Sequence, residues 1–391
     1  MTLQELMTRW NGYQIEMRRW FHQHPEESTK EVKTAERIRA ELDRAGIEWR
    51  PCGLGTGTLA RIVGAQPGRT ILLRGDIDAL SVNEETKLPF ASEVPGVMHA
   101  CGHDCHISML LTAAMMINEI KDQLKGTIVF AFQPAEELGV GARAMIEEGA
   151  LEGVDACFGM HVWSDYPAGT VALRKGPMMA SGDSFKIHVK GKSTHGAQPQ
   201  LGADALLMGA AIVQNLQSIV SRETYPGDTA VVTVGKFHSG TRFNVVAGTA
   251  ELEGTTRTFS PAVRDRFEEQ ITRIAKSTAE AMRGTAEVEY LCMVPVTVND
   301  PDMIDVVTGA AGKIFGENGV IESALQLGGE DFAYYQEKVP GAMVLLGVRN
   351  EACGAVWPQH HGCYTVDESV LVKGAALHVQ TALDFLGVEL K

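Results

Sequence analysis

The chain has no apolar run approaching the roughly 20 residues that a membrane-spanning helix needs, so no membrane partner is expected. The stretch from Met1 to Trp20 is charged and lacks the apolar centre of a secretion signal, which points to a cytoplasmic protein. Basic residues are in deficit: 35 Lys and Arg stand against 49 Asp and Glu, for a formal net charge of −14. An acidic surface repels phosphate backbones and argues against a nucleic-acid partner. Disulfides are not expected either, because the 7 cysteines are odd in number and irregularly spaced along 391 residues. A cysteine with a special role is then a ligand or a buried thiol. There is no internal repeat, no low-complexity tract and no GxSxG elbow. The last absence weakens a nucleophilic hydrolase built on Cys105 or Ser181.

What is present is an ordinary globular composition, 45% hydrophobic and 21% charged, in a chain long enough for more than one domain. Leu3, Leu6, Met7, Trp10, Tyr13, Met17 and Trp20 recur at helical spacing, and a second helix is predicted over 34–45. Gly53, Gly55 and Gly57 suggest a dinucleotide loop, but an alternating strand follows them over 58–63 where that fingerprint requires a helix. Three short apolar runs, 70–74, 127–132 and 156–160, end in GDIDAL, QPAEE and HVW. Helical stretches over 107–120 and 141–148 alternate with them, which predicts a mostly parallel mixed sheet flanked by helices. From 183 to 190 the pattern switches to strict alternation, with Phe185, Ile187 and Val189 on one face. Helices over 203–220 and 262–282 and strands over 229–237, 249–257 and 286–293 complete an inserted α+β lid. The expected division is therefore a catalytic domain of residues 1–182 and 295–391, interrupted by a lid at 183–294.

The densest chemical cluster is MHACGHDCH, from Met98 to His106. Thiol and imidazole donors at this spacing suit zinc, manganese, cobalt or nickel. Gly102 lets the backbone turn so that Cys101 and His103 aim at one point. No second CxxC or HxxxH completes a closed structural zinc site. Glu136 and Glu137 follow an apolar strand; adjacent carboxylates there point in different directions, so one can bind metal while the other carries protons. Taken alone they would read rather as acidic caps of the next helix, and it is the neighbouring MHACGHDCH cluster that favours chemistry. His161 follows the strand CFGM, and His360 and His361 form a late doublet in WPQHHGCY. Asp76 and Asp78 fit a role in orienting imidazole ligands, with helix caps or direct metal ligands as the alternatives.

The order GDIDAL, MHACGHD, QPAEE, GMHVW and a late histidine before a VDE turn resembles the metal-dependent amidohydrolases that include aminoacylases, hippurate hydrolases and auxin–amino acid conjugate hydrolases. The likeness spans nearly the whole chain, from RRWFHQHPE through STHGAQP, FHSGTRFNVV and GGEDFAYY. It implies two divalent metal ions held by Cys101, His103, Glu137, His161 and His360, with Glu136 as general base. It also implies a lid that pairs two subunits into a homodimer or dimer-based oligomer. In that lid His195 would stabilise the oxyanion and Asn244 would contact substrate, while Arg257 would hold a substrate carboxylate or serve its strand. The departures are Gly362, where the family usually has proline, and Glu27, where it has an apolar residue. The implied activity is hydrolysis of N-acyl amino acids by a metal-activated water. A metallo-exopeptidase, either a dipeptidase or a carboxypeptidase, is the alternative use of the same site.

Overall fold

The computed structural model describes residues 1–390. Contacts divide the chain into two compact units. The first comprises Met1–Gly176, Val298–Ala324 and the chain from Asp331 onward; the second comprises Pro177–Thr297 with Leu325–Glu330.

The first unit is built on an eight-stranded sheet. Its strands are Glu48–Pro51 (β1), Thr58–Val63 (β2), Gln66–Asp76 (β3), Lys125–Gln133 (β4), Ala156–Pro167 (β5), Val171–Leu173 (β6), Val320–Glu322 and Gly341–Arg349. Across the sheet they run β1, β2, β4, β3, β5, Gly341–Arg349, β6, Val320–Glu322. The centre, from β4 through β3 and β5 to Gly341–Arg349, is parallel, and the β1–β2, β2–β4 and β6 to Gly341–Arg349 pairs are antiparallel. The mixed, mostly parallel α/β fold is therefore as expected.

Both faces of the centre are covered, which is why its strands read as unbroken apolar runs. Ile71, Leu73, Ile128, Phe130 and Phe158 face one core. Leu3–Gln23 (α1), His103–Glu119 (α3) and the helix Leu371–Leu386 pack together there. Leu72, Val129 and Ala131 face the other side, with Met145 of helix Gly141–Glu147 (α4). From His103 to Ile117 every residue of α3 is buried, so this helix carries no polar face.

Several element boundaries differ from the sequence reading, and two of these differences matter for the site. α3 begins at His103 rather than 107, because Gly102 sits at φ +90° and its carbonyl accepts the first helical N–H groups, from Cys105 at 2.9 Å and His106 at 3.3 Å. β5 continues to Pro167, so His161 lies inside a strand; its pairing with Gly341–Arg349 sustains it.

The second unit is a four-stranded antiparallel sheet in the order Ala230–Ser239, Thr249–Thr258, Ser181–Lys190, Thr285–Val294. Phe185, Ile187 and Val189 point into a core with Met208, Ile212, Phe267 and Ile271 of helices Ala205–Ser218 and Pro261–Ala281. The return of Leu325–Glu330 to this unit follows from backbone pairing: Gln326 donates to Met178 O and accepts from Ala180, both at 2.9 Å. No helix among the described residues is long and apolar enough to cross a membrane.

Candidate metal centre

The carboxyl ends of β3, β4 and β5 and the start of α3 supply most of the chemistry. β3 ends at Asp76 and leads to Asp78; β4 ends at Gln133 and turns into Glu136 and Glu137; β5 carries His161. Cys101 and His103 flank Gly102. At that glycine an added Cβ would fall 2.4 Å from Val162 Cγ2 and 2.9 Å from Tyr364 Oη, so only glycine fits. The QPAEE turn is also unusual, with Ala135 at φ +51°. Its N–H donates to Glu31 Oε1 at 2.9 Å, and Glu31 in turn accepts from Thr56 Oγ1 at 2.9 Å. A buried carboxylate from the loop before helix Val32–Ala45 (α2) thus holds this turn in the left-handed region.

The donor atoms of Cys101, His103 and His161 lie within 4.8 Å of one another, and so do those of Cys101, Glu137 and His360. A third such group is His103, Glu136 and Glu137. Cys101 Sγ is 3.4 Å from His161 Nε2. Glu137 Oε1 is 3.4 Å from His360 Nε2 and 3.9 Å from His103 Nε2. The tautomers follow from what the other ring nitrogen does. His103 Nδ1 donates to the Asp78 carbonyl at 2.9 Å and lies 3.2 Å from Asp78 Oδ1. His161 Nδ1 donates to Val162 O at 2.6 Å. Both histidines therefore present Nε2 to the shared space. His103 Nε2 and Glu137 Oε1 are buried without a hydrogen-bond partner among the described residues. Buried polar atoms left so are costly unless something binds them.

Electrostatics point the same way. Burial pushes the Cys101 thiol well above its usual range, and Glu137, Glu136 and Asp76 push it further. Burial opposes charge on His103, yet Asp76, Asp78 and Glu137 raise it to about 10. Around one thiol, Asp76, Asp78, Glu136 and Glu137 outnumber the nearby Arg74, whose Nη1 is 2.6 Å from Asp76 Oδ2. Divalent cations would neutralise this surplus and favour the thiolate. The donor set fits such ions in chemistry, in orphaned atoms and in charge.

His360 belongs to this cluster and His361 does not. His360 sits at φ +65° with its N–H on Ala100 O at 2.8 Å. His361 instead stacks on Trp357 at 4.4 Å, and its Nδ1 accepts from Cys363 N at 3.0 Å. His195 and Asn244 lie in the second unit, where the structure joins them to each other: Val245 pairs with His195, and Gly196 N donates to Asn244 O at 2.8 Å. Arg257 turns back on its own strand, donating to Thr255 Oγ1 and Thr256 O, which favours the structural reading of that residue. Glu27 accepts from Ser81 Oγ and Lys30 Nζ, tying its loop to the chain just beyond Asp78. Sequence reading gives no role to Glu31 or Arg74, does not single out His106 within the MHACGHDCH cluster, and takes Asp331 only as part of a turn near the site. Asp331 accepts from Arg74 Nη2 at 2.9 Å, Gln133 Nε2 at 2.7 Å and Ala142 N at 3.0 Å, and so braces the base of the QPAEE turn. Its GGED segment reads as one more turn, and nothing local in the sequence marks it as a strut.

A family model described as peptidase family M20/M25/M40 matches residues 72–384. A protein of Bacillus subtilis named N-acetylcysteine deacetylase is 40% identical over 370 residues, covering 94% of this chain and 96% of its own. Thermostable carboxypeptidase 1 of Saccharolobus solfataricus is 40% identical over 375 residues, 95% of each chain. The solved structure of a dinuclear metal-binding M20 peptidase from Bacillus subtilis superposes with a TM-score of 0.86 at 37% identity, covering 98% of this chain and 100% of that one. A match of this extent, on a chain whose donors gather around two overlapping centres, places it: the protein belongs to peptidase family M20/M25/M40 and is an enzyme of metal-dependent amide hydrolysis.

Proposed function

We propose that the chain hydrolyses the amide bond of N-acyl amino acids, releasing the acid and the free amino acid. The observation that carries this reading is the position of Cys101, whose thiol is common to two donor groups, one with His103 and His161 and one with Glu137 and His360. A thiolate shared in this way suits a pair of divalent ions, with zinc, manganese, cobalt and nickel all compatible with the donors. When bound, such ions lower the pKa of water and polarise the acyl oxygen. Glu136 then serves as the proton carrier. Its carboxylate lies in the group with His103 and Glu137, and its Oε1 is 3.4 Å from the Asp331 N–H, an anchor that holds it in place. It takes the proton of the attacking water and passes it to the departing amine, so no covalent intermediate is needed. His103 and His161 keep their Nδ1 protons on Asp78 and Val162 throughout.

His195 is assigned as an oxyanion donor. Its Nδ1 accepts from Ala197 N at 3.0 Å, which leaves the proton on Nε2. Asn244 is assigned as a substrate contact, and its Oδ1 is buried without a partner among the described residues. A homodimer surface is assigned to the second unit because Leu206 and Leu207 are exposed, as are Phe237 on the edge strand Ala230–Ser239 and Phe243, the last 95% exposed. The likeness to a deacetylase favours an N-acyl substrate, whereas the equally strong likeness to a carboxypeptidase favours cleavage of a peptide's last residue at the same site.

The test is Glu136→Gln with metal analysis, assayed on N-acetyl, N-benzoyl and dipeptide substrates. The expected result is a full metal complement with kcat reduced at least ~100-fold, since a general base typically contributes 10²–10⁴. Near-normal turnover with both metals in place would remove Glu136 from the role. Turnover confined to dipeptides would select the exopeptidase reading.

A further inference from the structure

The third histidine of the cluster, His106, has no place in the ligand set, yet it is fully buried at the heart of the site. Its two ring nitrogens are both committed. Nδ1 is 2.5 Å from Asp76 Oδ1, and Nε2 is 2.9 Å from the N–H of Val162. An N–H can only donate, so Nε2 accepts and Nδ1 carries the proton to Asp76. These two contacts lock the His106 ring in one tautomer.

The sheet explains why this contact exists. β3 pairs with β5 from Ile71 and Ala156 to Arg74 and Gly159, and then stays with β4 as far as Asp76. Beyond Gly159 the β3 side of β5 has lost its neighbour, although β5 remains paired with Gly341–Arg349 on its other side. The N–H and carbonyl of Val162 face this opening, and side chains replace the missing strand. Its N–H goes to His106, while its carbonyl accepts from His161 Nδ1 at 2.6 Å and Gln359 Nε2 at 3.0 Å. The His106 ring also meets the His161 ring edge to face at 4.5 Å. The backbone of one residue, Val162, therefore orients His161 and meets the neighbour of His360 through its carbonyl, and is tied through its N–H and His106 to Asp76. Asp76 Oδ2 in turn lies 3.6 Å from His103 Nε2.

We propose that His106 is a positioning residue that fills the opening between β3 and β5, seating the backbone of Val162 so that His161 presents Nε2 to a divalent ion. This inference rests on the ligand set given under Proposed function. It goes beyond that set by assigning the work to the Val162 contact rather than to the imidazole's charge or bulk.

Two substitutions divide the two hydrogen bonds. In His106→Gln the side-chain Oε1 reaches the position of Nε2 and can accept from Val162, but the short link to Asp76 is lost. In His106→Asn the Nδ2 group can still donate to Asp76, but nothing reaches Val162. The full chain is stripped with chelator and titrated with Co²⁺, reading the dissociation constant by chelator competition and the ligand-field absorption of the bound ion. His106→Ala and His106→Asn are expected to weaken Co²⁺ about 10–100-fold and to shift the absorption, as loss of a group that orients a ligand typically does. His106→Gln is expected to recover most of both. Wild-type Co²⁺ affinity and spectrum in His106→Ala would overturn the proposal, and so would His106→Asn matching or exceeding His106→Gln. If His106→Ala fails to fold by circular dichroism, the Gln and Asn pair decides alone. His161→Ala separates this question from the ligand set. If it keeps two Co²⁺ per chain, the ligand assignment itself is wrong. If it drops to one while the His106 variants behave as wild type, only the positioning role is wrong.

Discussion

The sharpest test of the site's construction is a pair of glycine-to-alanine changes, Gly102→Ala and Gly153→Ala. Both residues have positive φ, +90° and +68°. An alanine there costs about 1–2 kcal/mol in backbone strain in either place. The surroundings differ. At Gly153 an added Cβ meets nothing within 4 Å, whereas at Gly102 it falls 2.4 Å from Val162 Cγ2 and 2.9 Å from Tyr364 Oη. Val162 and Tyr364 are buried to 0% and 1% exposure, so neither can swing aside into solvent. Overpacking of this kind adds about 1–3 kcal/mol. The expected order is a small loss of thermal stability for Gly153→Ala and a larger one for Gly102→Ala, separated by roughly 2–4 °C per kcal/mol of difference. Because Cys101 and His103 flank the clash, Gly102→Ala should also weaken divalent-metal binding, while Gly153→Ala leaves it unchanged. Melting followed by differential scanning calorimetry, with metal content measured on the same samples, reads both effects. Equal melting temperatures and equal metal content for the two variants would refute the close-packed account of the Cys101–His103 turn.

Two further predictions concern buried charge. Arg74 bridges Asp76 and Asp331, all three at most 1% exposed, so Arg74→Met withdraws a guanidinium from two buried carboxylates and should cost about 3–5 kcal/mol in thermal unfolding. Arg74→Lys should fall between, because one ammonium cannot reproduce a forked contact, and a neutral outcome for Arg74→Met would show the strut to be dispensable. His378 lies buried against Phe158, and burial first, then His106, lowers its pKa from 6.5 to about 3. Between those values the unfolded chain binds a proton that the folded chain refuses, so this group makes stability rise with pH from about 3 to 6.5 and stay flat above. The full span is about 5 kcal/mol, from about 3.5 pH units at 1.36 kcal/mol per pH unit of linkage. His378→Leu should flatten that part of the stability–pH curve measured by urea denaturation, and an unchanged slope would show that His378 takes up its proton in the folded state.

Much of the architecture is legible because apolar periodicity depends on burial. Phe185, Ile187 and Val189 alternate because their strand has one wet face, and the runs ending at Arg74 and Phe132 do not alternate because helices cover both sides. Boundaries at the site are less legible. The apolar pattern of α3 becomes readable only at Ile107, yet the helix starts at His103, where a glycine rather than a capping side chain begins it. The return of Leu325–Glu330 to the second unit rests on backbone bonds to Met178 and Ala180, and main-chain pairing at such separation leaves no mark on composition.

The roles within the histidine cluster show where sequence reading stops. Density alone cannot separate His99, His103 and His106, which all lie between Met98 and His106 and are all buried. The structure separates them by how many ring nitrogens are already used. His99 uses neither among the described residues, and burial lowers its pKa to about 4. His103 uses one, on Asp78, and so offers the other. His106 uses both, on Asp76 and Val162, and so offers none. The same count admits His161, whose Nδ1 is spent on Val162. An imidazole suits a metal when one nitrogen is fixed and the other is left over. These fixing partners come from where β3 ends: Asp76 closes β3 and Asp78 follows it, and Val162 lies on the stretch of β5 that β3 no longer covers. The divergence of two parallel strands thus sorts equivalent residues into ligands and braces, and that divergence is a property of the sheet rather than of any motif.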